Sequence, residues 1–259
     1  MNSNDSTSRR PAKFMTITSG HNFQYSIEDR VKAMGWETIP EQSYIDDVEL
    51  KPRSIDLVAL QKRESHNSRG NQIALVVECK FLEHDVYCYL RPNPKDEKAY
   101  FIDGYSKEEL FINKEQFHFF RTDKVVTNIT KEKDKKDNLG GAIVQSIKAL
   151  LYLRGSGRIL DTKGLFFPVV AYGGKSKIYD QDNNEQKNVL YYQTYEWQEP
   201  HSQNKAETRH IYVDIVREDN LEEYLDKIFG REMDSLMSYD AFNGRMAGRK
   251  ERDPRNSAR

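Results

Sequence analysis

The stretch IALVVECKF, residues 73–81, constrains the fold more than any other part of the chain. Its apolar residues occupy both alternating positions, as in a strand covered on its two faces. Such a strand belongs in the middle of a sheet. Glu78 and Lys80 interrupt the run two residues apart. Strand side chains alternate, so these two share a face with Ala74 and Val76, while Cys79 turns the opposite way into the core. A charge without a partner in that setting is costly and needs a reason.

An earlier stretch supplies a partner. RSIDLVAL, residues 53–60, alternates: Ile55, Leu57 and Ala59 face one way, and Ser54, Asp56, Val58 and Leu60 the other. The polar link QKRESHNSRGNQ, with Gly70-Asn71, reads as the turn of a long antiparallel hairpin. If the hairpin aligns the two strands, Asp56 and Glu78 converge. Two carboxylates and one ammonium then stand at one edge of a sheet. Other acid-x-Lys spacings occur at Glu49–Lys51, Glu185–Lys187, Asp96–Lys98, Asp134–Lys136 and Asp161–Lys163. All lie in polar or turn-like contexts. A structural ion pair is the plain alternative for Glu78–Lys80, although three charged groups exceed what stability requires.

The remaining pattern is mixed α/β. SIEDRVKAMGW reads as a helix capped by Ser26 with Asp29 and ended by Gly35; Phe23, Ile27, Val31 and Met34 form its apolar stripe and Glu28 sits at the stripe's edge. GGAIVQSIKALLYLRG is the strongest helix, with Ile143, Ile147, Leu150, Leu151 and Leu153 apolar. Strands are expected at GLFFPVVAY, NVLYYQTYEW and RHIYVDIVRE, and a closing helix at NLEEYLDKIFGREMDSLM. Residues 1–13 read as a disordered N-terminus, 14–242 as one domain, and 243–259 as a basic flexible tail. Within the domain, 82–138 reads as an insertion after the strand bearing Glu78, and 173–242 as a C-terminal elaboration.

The chemistry that suits Asp56, Glu78 and Lys80 is metal-assisted phosphodiester hydrolysis. A hard cation such as Mg²⁺ or Mn²⁺ takes oxygen ligands, often one or two carboxylates with waters and a phosphate. The Cys79 carbonyl is a candidate third protein ligand. A lysine beside the cation can position water and stabilise developing charge.

Asp56, a hairpin before Glu78-Cys79-Lys80, resembles the Asp…(Asp/Glu)-x-Lys signature of the PD-(D/E)xK nuclease superfamily. The resemblance covers roughly residues 23–172. Ile55 stands where the name-giving proline would be. Gln145 in AIVQSIKALLYL is similar to the glutamine many members place near the active site, and Ala149 stands where some have a tyrosine. The resemblance implies a restriction-endonuclease-like mixed β-sheet core flanked by helices. It implies a metal-dependent endonuclease, with DNA rather than RNA as the expected substrate, in restriction, antiviral defence or repair. Asp56 and Glu78 would hold Mg²⁺ or Mn²⁺, Glu28 would reach it through a water, Lys80 would activate the water, and Gln145 would orient Lys80 or contact a phosphate. A homodimer or larger complex would supply two active sites for a double-strand break. The alternative is a non-catalytic nucleic-acid-binding or assembly subunit on the same fold.

Composition narrows the field. The net charge of −1 gives no global sign of nucleic-acid binding, so any basic surface is local. Lys62, Arg63 and Arg69 with Lys51 and Arg53 are candidates for such a rim, or form an ordinary charged hairpin tip. The two cysteines exclude a disulfide scaffold. Cys79, His84 and Cys88 have a weak zinc-like grouping, set against Cys79 turning into the core. GSGR (155–158) and YGGK (172–175) match no phosphate loop and read as turns. With no signal-peptide pattern and no membrane-length apolar run, the expected location is cytoplasmic, without a membrane partner.

Overall fold

The computed structural model describes residues 20–63, 71–95, 102–103, 118–131, 138–156, 164–197, 206–227, 230–232 and 234. The N-terminal segment, the hairpin tip, the charge run at 132–137 and the basic tail lie outside them. The chain forms α1 (Gly20–Ala33), β1 (Glu37–Ile45), β2 (Pro52–Arg63), β3 (Asn71–Leu82), β4 (Val86–Pro92), β5 (Ile102–Asp103), α2 (His118–Arg121), β6 (Lys124–Lys131) and α3 (Asn138–Ser156). Then follow β7 (Gly164–Gly174), β8 (Ile178–Tyr179), β9 (Glu185–Gln186), β10 (Asn188–Trp197) and β11 (Glu207–Arg217). A 3₁₀ turn (Glu218–Asn220) leads into α4 (residues 221–227).

Among the described residues the strands make one mixed sheet in the order β1-β2-β3-β7-β11-β10-β6-β4-β8-β9, with β5 beside β7. β1, β2 and β3 are an antiparallel meander. β3 and β7 are parallel, a pairing that needs a long crossover, and α3 lies between them in sequence. The segment 82–138 contributes β4 and β6 to the far end of this same sheet.

Two cores lie on opposite faces. On one, Phe23, Ile27 and Val31 of α1 and Leu221 and Leu225 of α4 pack on Leu57, Leu75, Val77, Cys79, Phe167 and Val169. Arg30 joins α1 to α4 by a bidentate pair with Glu222 at 2.6 and 2.5 Å. On the other, Ile143, Ile147 and Leu150 of α3 pack on Val58, Leu60, Ala74, Val76, Val170 and Val213. β3 therefore has strands on both edges and helices on both faces, which is why its apolar residues fill both alternating positions. β7 is buried from Gly164 to Gly173 for the same reason. It tolerates Pro168 in mid-sheet because, on the edge away from β3, β5 pairing reaches only Leu165 and β11 pairing starts at Val169.

Two expectations are corrected. α1 begins at Gly20, so Ser26 lies inside it and caps nothing; burying Phe23 and Gln24 with Ile27 requires another turn of helix. Ile55 packs with Val58 and Leu60 instead of Leu57 and Ala59. The alternation of β2 is broken at Asp56, where the β1–β2 ladder also skips one pair.

The glycines of YGGK close β7. Gly174 has φ +105°, and a Cβ there would lie 2.5 Å from the Leu82 carbonyl oxygen. Neither the backbone nor that contact can yield cheaply. Gly174→Ala is expected to lower stability by about 1–3 kcal/mol, read as a lower denaturant midpoint with unchanged slope. An unchanged midpoint would contradict this packing.

Candidate active site at the β2–β3 fork

The β2–β3 ladder runs from Arg63↔Asn71 to Leu57↔Val77 and stops. β2 continues along β1 to Pro52, and β3 continues along β7 to Leu82. The strands part at a fork whose first residues are Asp56 and Glu78. Asp56 Oδ2 accepts the Cys79 N–H at 2.7 Å, replacing the lost ladder partner. N–H and C=O of one strand residue point to the same edge. The Cys79 carbonyl is thereby turned toward the fork, while its side chain fills the α1-side core.

Glu78 and Lys80 follow Ala74 and Val76 onto the α3 face, and the Lys80 ammonium donates to Glu78 Oε1 at 2.7 Å. Glu78 is only 3% exposed. Its other oxygen, Oε2, is buried without a hydrogen-bond partner, a costly state for a carboxylate. Burial, followed by the Asp56 charge, pushes Glu78 up to about 7, against the pull of Lys80. Burial also raises Asp56, opposed by the Cys79 N–H and Lys80. Lys80 thus pairs with the buried Glu78 and its charge also acts on the half-buried Asp56.

This donor set suits a hard divalent cation: two carboxylates, one with an oxygen still lacking a partner, and a main-chain carbonyl. Among the described residues no group of three His, Cys, Asp or Glu side chains converges as metal ligands. The side-chain contribution is the Asp56–Glu78 pair, with water and phosphate left to complete a shell. The zinc grouping is excluded: Cys79 and Cys88 lie in different cores.

Two predicted site residues make no bond to the fork. Glu28 is buried on α1, where its Oε1 meets Lys32 Nζ at 2.7 Å and accepts from Thr38 Oγ1 at 3.2 Å. It makes no hydrogen bond or ion pair with the fork residues. Gln145 is half-buried on α3 and likewise makes no hydrogen bond to Asp56, Glu78 or Lys80. In the expected basic rim, Lys51 and Arg53 both engage Glu49, at 3.7 and 2.8 Å.

Other residues support the site without having been singled out. Gln24, buried one turn before Glu28, donates from Nε2 to the Asp56 carbonyl at 3.0 Å. A glutamine between Phe23 and Ile27, inside the apolar stripe, is the signal that points to it. Lys148 on α3 places its ammonium 2.9 Å from both Asp46 oxygens and 3.4 Å from Asp47. The Tyr195 hydroxyl donates to both oxygens of Asp47 at 3.0 Å. This cluster fastens the β1–β2 turn to α3 and β10. Tyr44 lies beside it, pushed up to about 12 by burial and then by Asp46 and Glu78.

No family model matches the chain, and neither the curated proteins nor the solved structures contain a match to it.

Proposed function

We propose that the chain is a divalent-metal-dependent endonuclease of the PD-(D/E)xK kind, hydrolysing phosphodiester bonds of DNA on a restriction-endonuclease-like core. The observation that carries this reading is the fork. Asp56 and Glu78, 22 positions apart in a meander, meet where the strands separate, with Lys80 on Glu78 and Glu78 Oε2 left without a partner. The order helix, three antiparallel strands, crossover helix and parallel strand supports it.

Asp56 and Glu78, with the Cys79 carbonyl, would hold Mg²⁺ or Mn²⁺. A bound cation there offsets phosphate charge and lowers the pKa of water. Lys80 presents its ammonium beside Glu78, where it orients the attacking water and stabilises charge developing on the phosphate. Gln24 fixes the β2 main chain that carries Asp56. The Lys148 cluster holds the β1–β2 turn, so the fork opens from a rigid base.

The test is a cleavage panel of supercoiled plasmid, linear duplex, single-stranded DNA and RNA, with Mg²⁺, Mn²⁺ or chelator. Metal-dependent loss of intact DNA, stopped by chelator, is expected. Cleavage of RNA alone would overturn the DNA assignment. Cleavage of nothing in either metal would overturn the nuclease reading.

A further inference from the structure

The Lys80 ammonium donates to Glu78 Oε1 at 2.7 Å, and among the described residues this is the ion pair that Glu78 makes. The pair is shielded from water: the Lys80 side chain is 24% exposed and that of Glu78 4%. Charges interact strongly in such a place, whether they attract or repel. Glu78 Oε2 is buried without a hydrogen-bond partner, so it is the oxygen left to a cation. A divalent cation bridging Oε2 and Asp56 would add two positive charges beside an ammonium already in contact with the same carboxylate. Such a cation also does for Glu78 what the ammonium does, because it offsets the burial and the Asp56 charge that raise this acid. Lys80 has room to leave. β2 stops pairing with β3 at Val77, so past the fork Lys80 is paired on one edge alone, by Tyr172 of β7. Its flexible four-carbon stem lets the ammonium swing into the fork while the backbone stays in the sheet. Lys148 on the same face is held differently, at 2.9 Å from both oxygens of Asp46 and 3.4 Å from Asp47.

We propose that Lys80 is a built-in competitor of the divalent cation: metal uptake by Asp56 and Glu78 lifts its ammonium off Glu78 Oε1 and into the fork. This rests on the metal-dependent reading above and adds an order of events to it. The cation binds first, and the ammonium that acts on phosphate is released by that binding. The lysine and the metal are then never spent on the same carboxylate oxygen. Lys148 takes no part, since its carboxylate partners belong to the β1–β2 turn and not to the fork.

The test is acetylation of lysines in the full chain, read residue by residue by mass spectrometry, with Mn²⁺ uptake followed in parallel by calorimetry. An ammonium in a shielded ion pair reacts slowly, because it must first give up its partner and its proton. Saturating Mn²⁺ is expected to speed acetylation of Lys80 about tenfold, the change that one pKa unit of lost interaction gives. Lys148 is the internal reference, and its rate is expected to stay the same. Asp56→Asn, which lacks one ligand, is expected to take up no Mn²⁺ and to show no change at Lys80. If the natural chain takes up Mn²⁺ while the Lys80 rate does not rise, the competition is overturned and the metal site stands. A rise at Lys80 and Lys148 together, or a rise at Lys80 in Asp56→Asn, also overturns it, because the cause then lies outside the fork. If the natural chain takes up no Mn²⁺, both the competition and the reading beneath it fall.

Discussion

Asp56→Ala, Glu78→Ala and Lys80→Ala are each expected to lower metal-dependent cleavage by at least about 10²–10³-fold, the scale set by losing one preorganised charge-stabilising group. Each removes something different. Asp56→Ala takes away a carboxylate and the acceptor of the Cys79 N–H. Lys80→Ala removes the ammonium from Glu78 Oε1 and leaves that buried carboxylate without an ion-pair partner among the described residues. Glu78→Ala removes the buried acid itself, including the oxygen without a partner. Its effect on stability separates function from structure. Glu78 is buried, pairs among the described residues with Lys80 at 2.7 Å, and is raised by its surroundings, so deleting it relieves a penalty. The Glu78→Ala protein should be as stable as the natural chain, or more so, while inactive, the trade-off typical of a site strained for function. Full activity in both Glu78→Ala and Lys80→Ala would make the pair a structural ion pair and nothing more.

A stability loss of about 3–5 kcal/mol is expected for Asp214→Ala, as for other buried ion pairs broken by removing one member. Asp214 of β11 meets His118 Nε2 at 3.0 Å and accepts from the Tyr224 hydroxyl at 3.0 Å. On the other side of the ring, His118 Nδ1 meets Glu232 Oε1 at 2.8 Å. The ring also packs against Phe167, with centroids 5.5 Å apart. Burial by itself pushes the imidazolium down, but the charges and hydrogen bonds of Asp214 and Glu232 outweigh it and bring His118 up to about 10. Its folded value therefore lies above the ordinary 6.5. The stability it contributes is fully present below pH 6.5 and is lost as pH rises toward about 10. Denaturant midpoints measured from pH 6 to pH 10 should fall in the natural chain and fall less steeply in His118→Ala. Equal slopes would show that His118 stays neutral in the fold. The cluster lies on the core face opposite the Glu78 side chain, so its disruption should reduce stability without changing the metal dependence of cleavage.

The parts of this architecture that were legible in the sequence are those governed by local periodicity. Alternation in IALVVECKF placed Glu78 and Lys80 together and sent Cys79 to the other face, as observed. The apolar spacing of α3 and the strands β7, β10 and β11 also follow from local pattern. The features that escaped depend on contacts between distant residues. Ser26 is a good cap in isolation, yet Phe23 must be buried, and packing extends the helix past it. Glu28 has the position of a site acid, but Lys32 one turn away and Thr38 on β1 claim it. His118 and its partners are separated by 96 and 114 residues, which no spacing rule connects. Asp56 was legible only in part. Its pairing with Glu78 follows from the hairpin, whereas the end of the ladder there, which opens the fork, is set by β3 going with β7 while β2 stays with β1.

The most direct measurement is anomalous diffraction from crystals of the full chain soaked in Mn²⁺. A Mn²⁺ peak bounded by the carboxylates of Asp56 and Glu78, absent from Glu78→Ala crystals treated identically, is the predicted result. A saturated soak that leaves this fork without a peak, with Lys80 still seated on Glu78, would contradict the assignment of a metal-dependent active site.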